Sequence, residues 1–137
     1  MMDTKEYLNQ VRNLDKRINL KLKEKETLKD LRDKITVNAE DEKVSGTKDK
    51  DSLEKTIIKL VDLEKEINKD IDKLVDLRNE IRDVINKVND FNNQLILEMR
   101  YIGGKSWDEI AMFMEYDRRT VFRFHGKALK EVEKIIK

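Results

Sequence analysis

Between residues 53 and 88 one heptad position is filled without interruption by Leu53, Leu60, Ile67, Leu74, Ile81 and Val88. A seven-residue apolar repeat keeps one stripe of an α-helix turned toward a partner, whereas a strand, with its two-residue alternation, cannot present it. A helix from about Leu53 to Asn89 follows, and it needs something helical to cover the stripe. The companion position reads Ile57, Glu64, Ile71, Arg78 and Ile85, with Leu63 and Leu77 beside its two charged members to widen the apolar surface. Lys59-Leu60-Val61-Asp62-Leu63 returns two heptads later as Lys73-Leu74-Val75-Asp76-Leu77, so the helix repeats its contact surface.

The covering helix is written at the N-terminus. From about Asp3 to Ile35, apolar residues recur in steps of three and four at Tyr7, Val11, Leu14, Ile18, Leu22, Leu28, Leu31 and Ile35. Charged residues dominate between Lys21 and Glu26, which predicts looser or register-shifted packing there. Residues 36–51 lose the apolar period and carry a Lys-Asp-Lys-Asp run, which predicts a flexible loop, with Ser52 as N-cap of the next helix. Two such helices can close as an antiparallel hairpin within one chain or pair between chains.

Composition narrows the function classes. With no Pro, no Cys and 43% charged residues in 137, long solvated helices are favoured and disulfides or thiolate metal sites are excluded. A lone His leaves too few ligands for a zinc site and no partner set for a Ser-His-Asp centre, so neither an enzyme nor a cofactor is expected. Asp62, Glu64, Glu66 and Asp70 interleave with Lys at helical spacing and read as a solvated face rather than a metal cluster. The first ten residues are charged, and no run approaches the roughly 20 apolar residues that span a bilayer, so a cytoplasmic protein with no membrane partner is expected.

After Asn89 the pattern changes to three short helices. Asp90 can cap a helix carrying Phe91, Leu95, Ile96, Met99 and Ile102, which Gly103-Gly104 would end with a left-handed C-cap. Ser106-Trp107-Asp108-Glu109 fits a capping box opening a helix with Trp107, Ile110, Ala111 and Met114 inward. Asp117 then caps a last helix to Ile135, whose inner face is Val121, Phe124, Ala128, Val132 and Ile135. Ala111 is small where two helices crossing over a tight turn approach most closely, and Tyr116 plugs that turn. His125 borders the inner stripe as a packing or phosphate-contact residue.

Helix, tight turn and helix make a helix-turn-helix, and the outer face of its second helix is chemically apt for DNA. Net charge is only +1, yet between Asp117 and Lys130 the bases are Arg118, Arg119, Arg123, Lys127 and Lys130 against one acid. Arg can bond guanine O6 and N7 together, and Phe122 can touch a thymine methyl. The competing reading is that the arginines only solvate the surface and Phe122 packs on a neighbour.

The stretch from Leu95 to Leu129 resembles region 4 of sigma-70-type factors, and in particular the sigma-like late-gene activators of phages and prophages, the ArpU and RinA class. The resemblance rests on Leu97-Glu98-Met99-Arg100-Tyr101-Ile102-Gly103-Gly104-Lys105-Ser106-Trp107-Asp108-Glu109-Ile110-Ala111 and Arg118-Arg119-Thr120-Val121-Phe122-Arg123-Phe124-His125-Gly126-Lys127-Ala128-Leu129. Glu6-Tyr7-Leu8, Arg17-Ile18-Asn19 and Leu60-Val61-Asp62-Leu63 look like an uncharacterised prophage family of this architecture. The resemblance implies that Arg118, Arg119, Phe122 and Arg123 read a promoter element in the major groove, with Lys105, Ser106 and Lys127 near phosphates. The turn departs from the pattern, with Glu115 where Gly is usual. No counterpart of the aromatic-rich strand-opening region of a complete sigma factor is present.

The sequence thus leads to an all-α protein, with a coiled-coil arm over 1–89 and a helix-turn-helix domain over 90–137. The expected partners are double-stranded DNA and, through the arm, a second copy of the chain (a dimer before larger assemblies) or bacterial RNA polymerase. A DNA-packaging adaptor like a small terminase subunit, and a protein-interaction module without DNA binding, are the alternatives.

Overall fold

The computed structural model describes residues 2–41 and 47–137, and every regular element among them is helical. In order these are α1 (Thr4–Asp41), α2 (Thr47–Asn86), α3 (Phe91–Leu97) running on into a π-helical turn (Glu98–Ile102), α4 (Trp107–Met114) and α5 (Arg118–Ile136). None is long and apolar enough to cross a membrane.

Both long helices extend into the expected 36–51 loop, α1 through Asp41 and α2 from Thr47; the middle of that loop, 42–46, lies outside the described residues. Lys, Glu and Ala are good helix formers, so a run without apolar periodicity can still be helical. Ser52 accordingly sits inside α2 and caps nothing; its carbonyl accepts from the Thr56 hydroxyl at 2.8 Å, which satisfies a polar group that is buried.

The chain divides into two compact units, 16–72 and 1–15 with 73–137. In the first unit, α1 and α2 meet along Ile18 on one side and Leu60, Leu63 and Ile67 on the other, all buried. Lys21 and Lys25 then take the seam positions of α1. Lys21 Nζ reaches Asp70 Oδ2 at 2.7 Å and Glu66 at 3.6 Å, and Lys25 Nζ reaches Glu64 Oε1 at 2.9 Å. As α1 advances the partner in α2 recedes, so the two strands of the seam run in opposite directions. The lysine stems cover apolar surface while their heads find carboxylates. These ion pairs hold the Lys21 ammonium above its usual range and the Glu64 carboxyl below it.

The seam corrects two assignments. Leu22 and Leu31 are exposed, because the path that continues from Ile18 runs through Lys21, Lys25 and Leu28. On α2 the companion of the Leu60–Ile67 stripe is Thr56, Leu63, Asp70 and Leu77, while Ile57 and Ile71 lie exposed on another side.

In the second unit the ends of α1 and α2 close on the C-terminal helices. Leu8, Val11, Ile81, Ile85 and Val88 pack with Leu97, Tyr101, Ala128 and Val132 in one core. Ile96, Ile110, Ala111 and Val121 form another, flanked by Met99, Trp107, Met114 and Phe124. Polar ties cross the same boundaries: Arg12 Nη1 donates to the Arg100 carbonyl at 3.1 Å, Gln94 Nε2 to the Ile85 carbonyl at 3.3 Å and Asn93 Nδ2 to Glu131 Oε1 at 2.8 Å. The expected N-cap at Asp90 is present, accepting from the Asn93 amide at 3.0 Å, but Phe91 behind it is exposed.

Truncating the fully buried Ile81 to Ala should cost about 2–5 kcal/mol, and Leu22→Ala or Leu31→Ala less than about 0.5 kcal/mol, read from urea unfolding. Equal losses at the three positions would contradict the seam described above.

Candidate nucleic-acid interface

The turn between α4 and α5 is built from local rules. Ser106 Oγ accepts from the Glu109 amide at 3.1 Å while the Ser106 amide donates to the Glu109 carboxylate at 3.4 Å, so the capping box is complete. α4 ends on Glu115, whose φ of 61° is left-handed, the conformation that favours the Gly usual at this place. The Tyr116 amide closes the turn onto the Ala111 carbonyl at 3.1 Å, and its ring packs edge-on against Phe124 at 5.3 Å. Asp117 then accepts from the Thr120 amide at 2.8 Å and opens α5; hydrogen bonding from Thr120, by its side chain first and then by this amide, holds the carboxyl below the usual range. Of the glycine pair before α4, Gly103 is right-handed and only Gly104 takes positive φ, at 67°. The π-helical turn shifts the expected C-cap by one residue: the Gly103 amide bonds five residues back to Glu98 at 2.8 Å.

The rotation of α5 is fixed from its inner side. Val121, His125, Ala128 and Val132 are buried, and His125 Nε2 lies 2.7 Å from the Tyr101 hydroxyl. The His125 ring also stands edge-on to Trp107 at 4.7 Å. Burial holds the imidazole pKa down to about 4, with charge repulsion from Lys5 and Arg100 adding to it, and burial pushes the Tyr101 phenol up to about 12. His125 is therefore a buried, neutral packing residue.

The opposite face holds the predicted residues. Arg119, Phe122, Arg123 and Lys127 are exposed around the side of α5 away from Val121, Ala128 and Val132, and Arg118 is exposed in its first turn, nearer the His125 edge. Arg118 Nε reaches Asp108 at 3.3 Å and its guanidinium lies over the Phe122 ring at 5.6 Å. Arg123 lies over Phe124 at 5.5 Å. Phe122 also packs edge-on to Trp107 at 5.2 Å, so it both braces the module and keeps an open surface. Lys105 pairs loosely with Glu109 at 3.9 Å; the Ser106 amide and carbonyl are taken up by Glu109 and Ile110, and its Oγ accepts in the cap, which leaves the hydroxyl proton as the group it can offer.

Two more residues bear on this face: Gly126, which helical spacing already sets on the outer side of α5, and Arg100. Gly126 sits mid-helix among the basic residues, and a Cβ there would meet nothing within 4 Å. Glycine inside a helix costs roughly 0.5–1 kcal/mol relative to alanine, and no intramolecular packing requires it here. Arg100 lies over the Trp107 ring at 4.5 Å and donates to the Lys105 carbonyl at 3.1 Å, beside the start of α4. Burial and the neighbouring Arg12 lower its pKa. The only sequence signal for Arg100 was its place before Gly103-Gly104.

Residues 36–133 match a family described as protein of unknown function, DUF1492. The chain belongs to the DUF1492 family. No curated protein and no solved structure matches it. The DUF1492 match takes in all of α2, α4 and the turn, and α5 as far as Glu133, so the candidate interface lies within the family's own extent.

The depressed His125 pKa has a definite sign. Unfolded, the imidazole binds a proton near pH 6.5; folded, it does so only near 4. Between those values the unfolded state holds more protons, so stability falls as pH drops through this window. The carboxylates lowered by their partners, Glu64, Asp117 and Glu133, lose their contribution only further down. Denaturation should therefore show a loss of stability from pH 7 to about 5 that His125→Gln flattens; an identical slope in the variant would place the titration elsewhere.

Proposed function

We propose that this protein is a sequence-specific DNA-binding transcriptional regulator of phage or prophage type. In this reading an antiparallel helical hairpin is followed by a helix-turn-helix, and α5 enters the major groove of promoter DNA. The hairpin serves self-association or contact with RNA polymerase in the cytoplasm. The observation that carries the reading is the exposed side of α5, where Arg119, Phe122, Arg123 and Lys127 surround a glycine with open space above it. A bare backbone among arginines suits close approach by a phosphate-lined groove. The likeness to sigma region 4 supports the same placement.

Arg123 is assigned to base edges, Arg119 and Phe122 beside it, and Lys105, Ser106, Arg118 and Lys127 to phosphates or the rim. Arg118 moves toward the rim because Asp108 already holds it. A second reading has its own observation: Met112 and Phe113 are 83% and 68% exposed on the outer side of α4, which favours a protein docking there without DNA. The packaging-adaptor alternative predicts a ring of many copies.

Selection of bound duplexes from random DNA, followed by footprinting, tests the proposal. Arg123→Ala should remove the discrete footprint, at a cost of about 1–3 kcal/mol on the selected site. Lys127→Ala should weaken binding to all sequences and reduce the salt slope by about 1. Gly126→Ala should stabilise the free protein by roughly 0.5–1 kcal/mol and yet weaken DNA binding, a pairing that a purely structural glycine would not produce. Unaltered DNA binding in all three variants at moderate salt would remove α5 from the interface.

A further inference from the structure

The assignment of Ile57 and Ile71 to an exposed side of α2 uncovers a second apolar seam. Ile57, Val61, Ile71 and Val75 follow one another in steps that keep a single face, and they are between 39% and 51% exposed. Counting 100° per residue, this face lies roughly 100° around α2 from the Leu60–Ile67 seam that α1 covers. An angle of that size is what a helix in a bundle has between two neighbours, and among the described residues of unit 16–72 α1 covers the first side while this face stays exposed. Glu64 and Asn68 occupy the seam between the two apolar pairs.

The seam is self-complementary in one direction. Ile-x-Lys-Leu-Val-Asp-Leu occurs at 57–63 and again at 71–77, so the apolar pairs stand two heptads, about 21 Å, apart. Two copies of α2 laid antiparallel about a two-fold level with Glu66 set Ile57 on Val75 and Val61 on Ile71. The same register sets Glu64 against Asn68 and Glu54 against Arg78 at each end. Laid parallel and in register, Glu54, Glu64 and Arg78 would each meet its own like charge, which disfavours pairing.

The geometry points to the second α2 seam as a homodimer interface, in which α2 of one copy packs antiparallel on α2 of another. The partner is a second copy of this chain, chosen by the matched apolar spacing and by the Glu54–Arg78 complementarity. This deepens the self-association part of the proposed function. Its test contains no DNA, so it can fail while DNA binding stands, and the reverse.

The test uses the full chain, whose natural sequence has no cysteine. Sedimentation equilibrium should give a dimer, and Val61→Glu with Ile71→Glu should weaken self-association by about a hundredfold or more while helicity by circular dichroism is unchanged, because both positions are exposed. Glu54→Arg and Arg78→Glu should each weaken the dimer and restore it when combined. Mixed Ile57→Cys and Val75→Cys chains should form the mixed disulfide in preference to Ile57→Cys with itself. A monomeric wild type, a dimer indifferent to the glutamates, or a dominant Ile57→Cys self-disulfide would each overturn the proposal.

Discussion

The orientation of α5 about its own axis is the constraint on which the rest of the C-terminal unit depends. Its basic face and its buried face are alternate sides of one helix, and a turn of one residue, about 100°, would carry an arginine into the core and Val121 or His125 into water. The inner side resists that turn. Val121, Ala128 and Val132 fill two adjoining cores, and His125 meets the Tyr101 hydroxyl within them. A polar pair in an apolar setting is directional where dispersion is not, because losing it strands two buried polar groups. Trp107 passes the constraint outward, touching His125 on one side and Phe122 and Arg100 on others. The same ring that closes the core thus steadies residues at the surface.

The long helices solve a different problem with less apolar material. Beyond Ile18 the seam of α1 offers lysines where leucines would be simplest, and it is α2 that supplies the matching carboxylates. Such half-exposed pairs contribute little net stability. What they do is close the seam without further leucine, since each ammonium ends on a carboxylate of the facing helix.

What was legible in the sequence follows the range of the interactions involved. Asp90, Ser106 with Glu109, and Asp117 were readable as caps because a cap is settled within four residues. The place of the turn was legible too, since Ala111, Tyr116 and Asp117 bracket it, but the left-handed conformation of Glu115 was not, because a non-glycine residue there argues against positive φ. The choice of face on a long helix was not. Leu22, Leu31, Ile57 and Ile71 are apolar at helical spacing, and only the partner decides which of two adjacent stripes is covered. Nor was the extent of α1 and α2, because helix propensity needs no apolar period and periodicity was the signal followed. The π-helical turn before Gly103 and the stacking of Arg100 on Trp107 both arise from packing between elements distant in sequence.

Charge is distributed unevenly along the chain although its total is balanced. The chain carries 30 basic and 29 acidic residues, so DNA attraction is not spread over the surface. In unit 16–72 lysines are met by carboxylates from the facing helix, and uncompensated positive charge collects on α5. A protein basic throughout would hold any duplex through phosphate contacts alone, and specificity would be diluted by that background. Under the proposed function, confining the positive field to one helix would keep the non-specific term small while leaving few base-facing side chains, and a second attachment would supply affinity, because linking two weak contacts raises the effective concentration of the second without adding to either. On that argument the exposed seam of α2 and the exposed face of α5 belong to one design, each too limited to act alone.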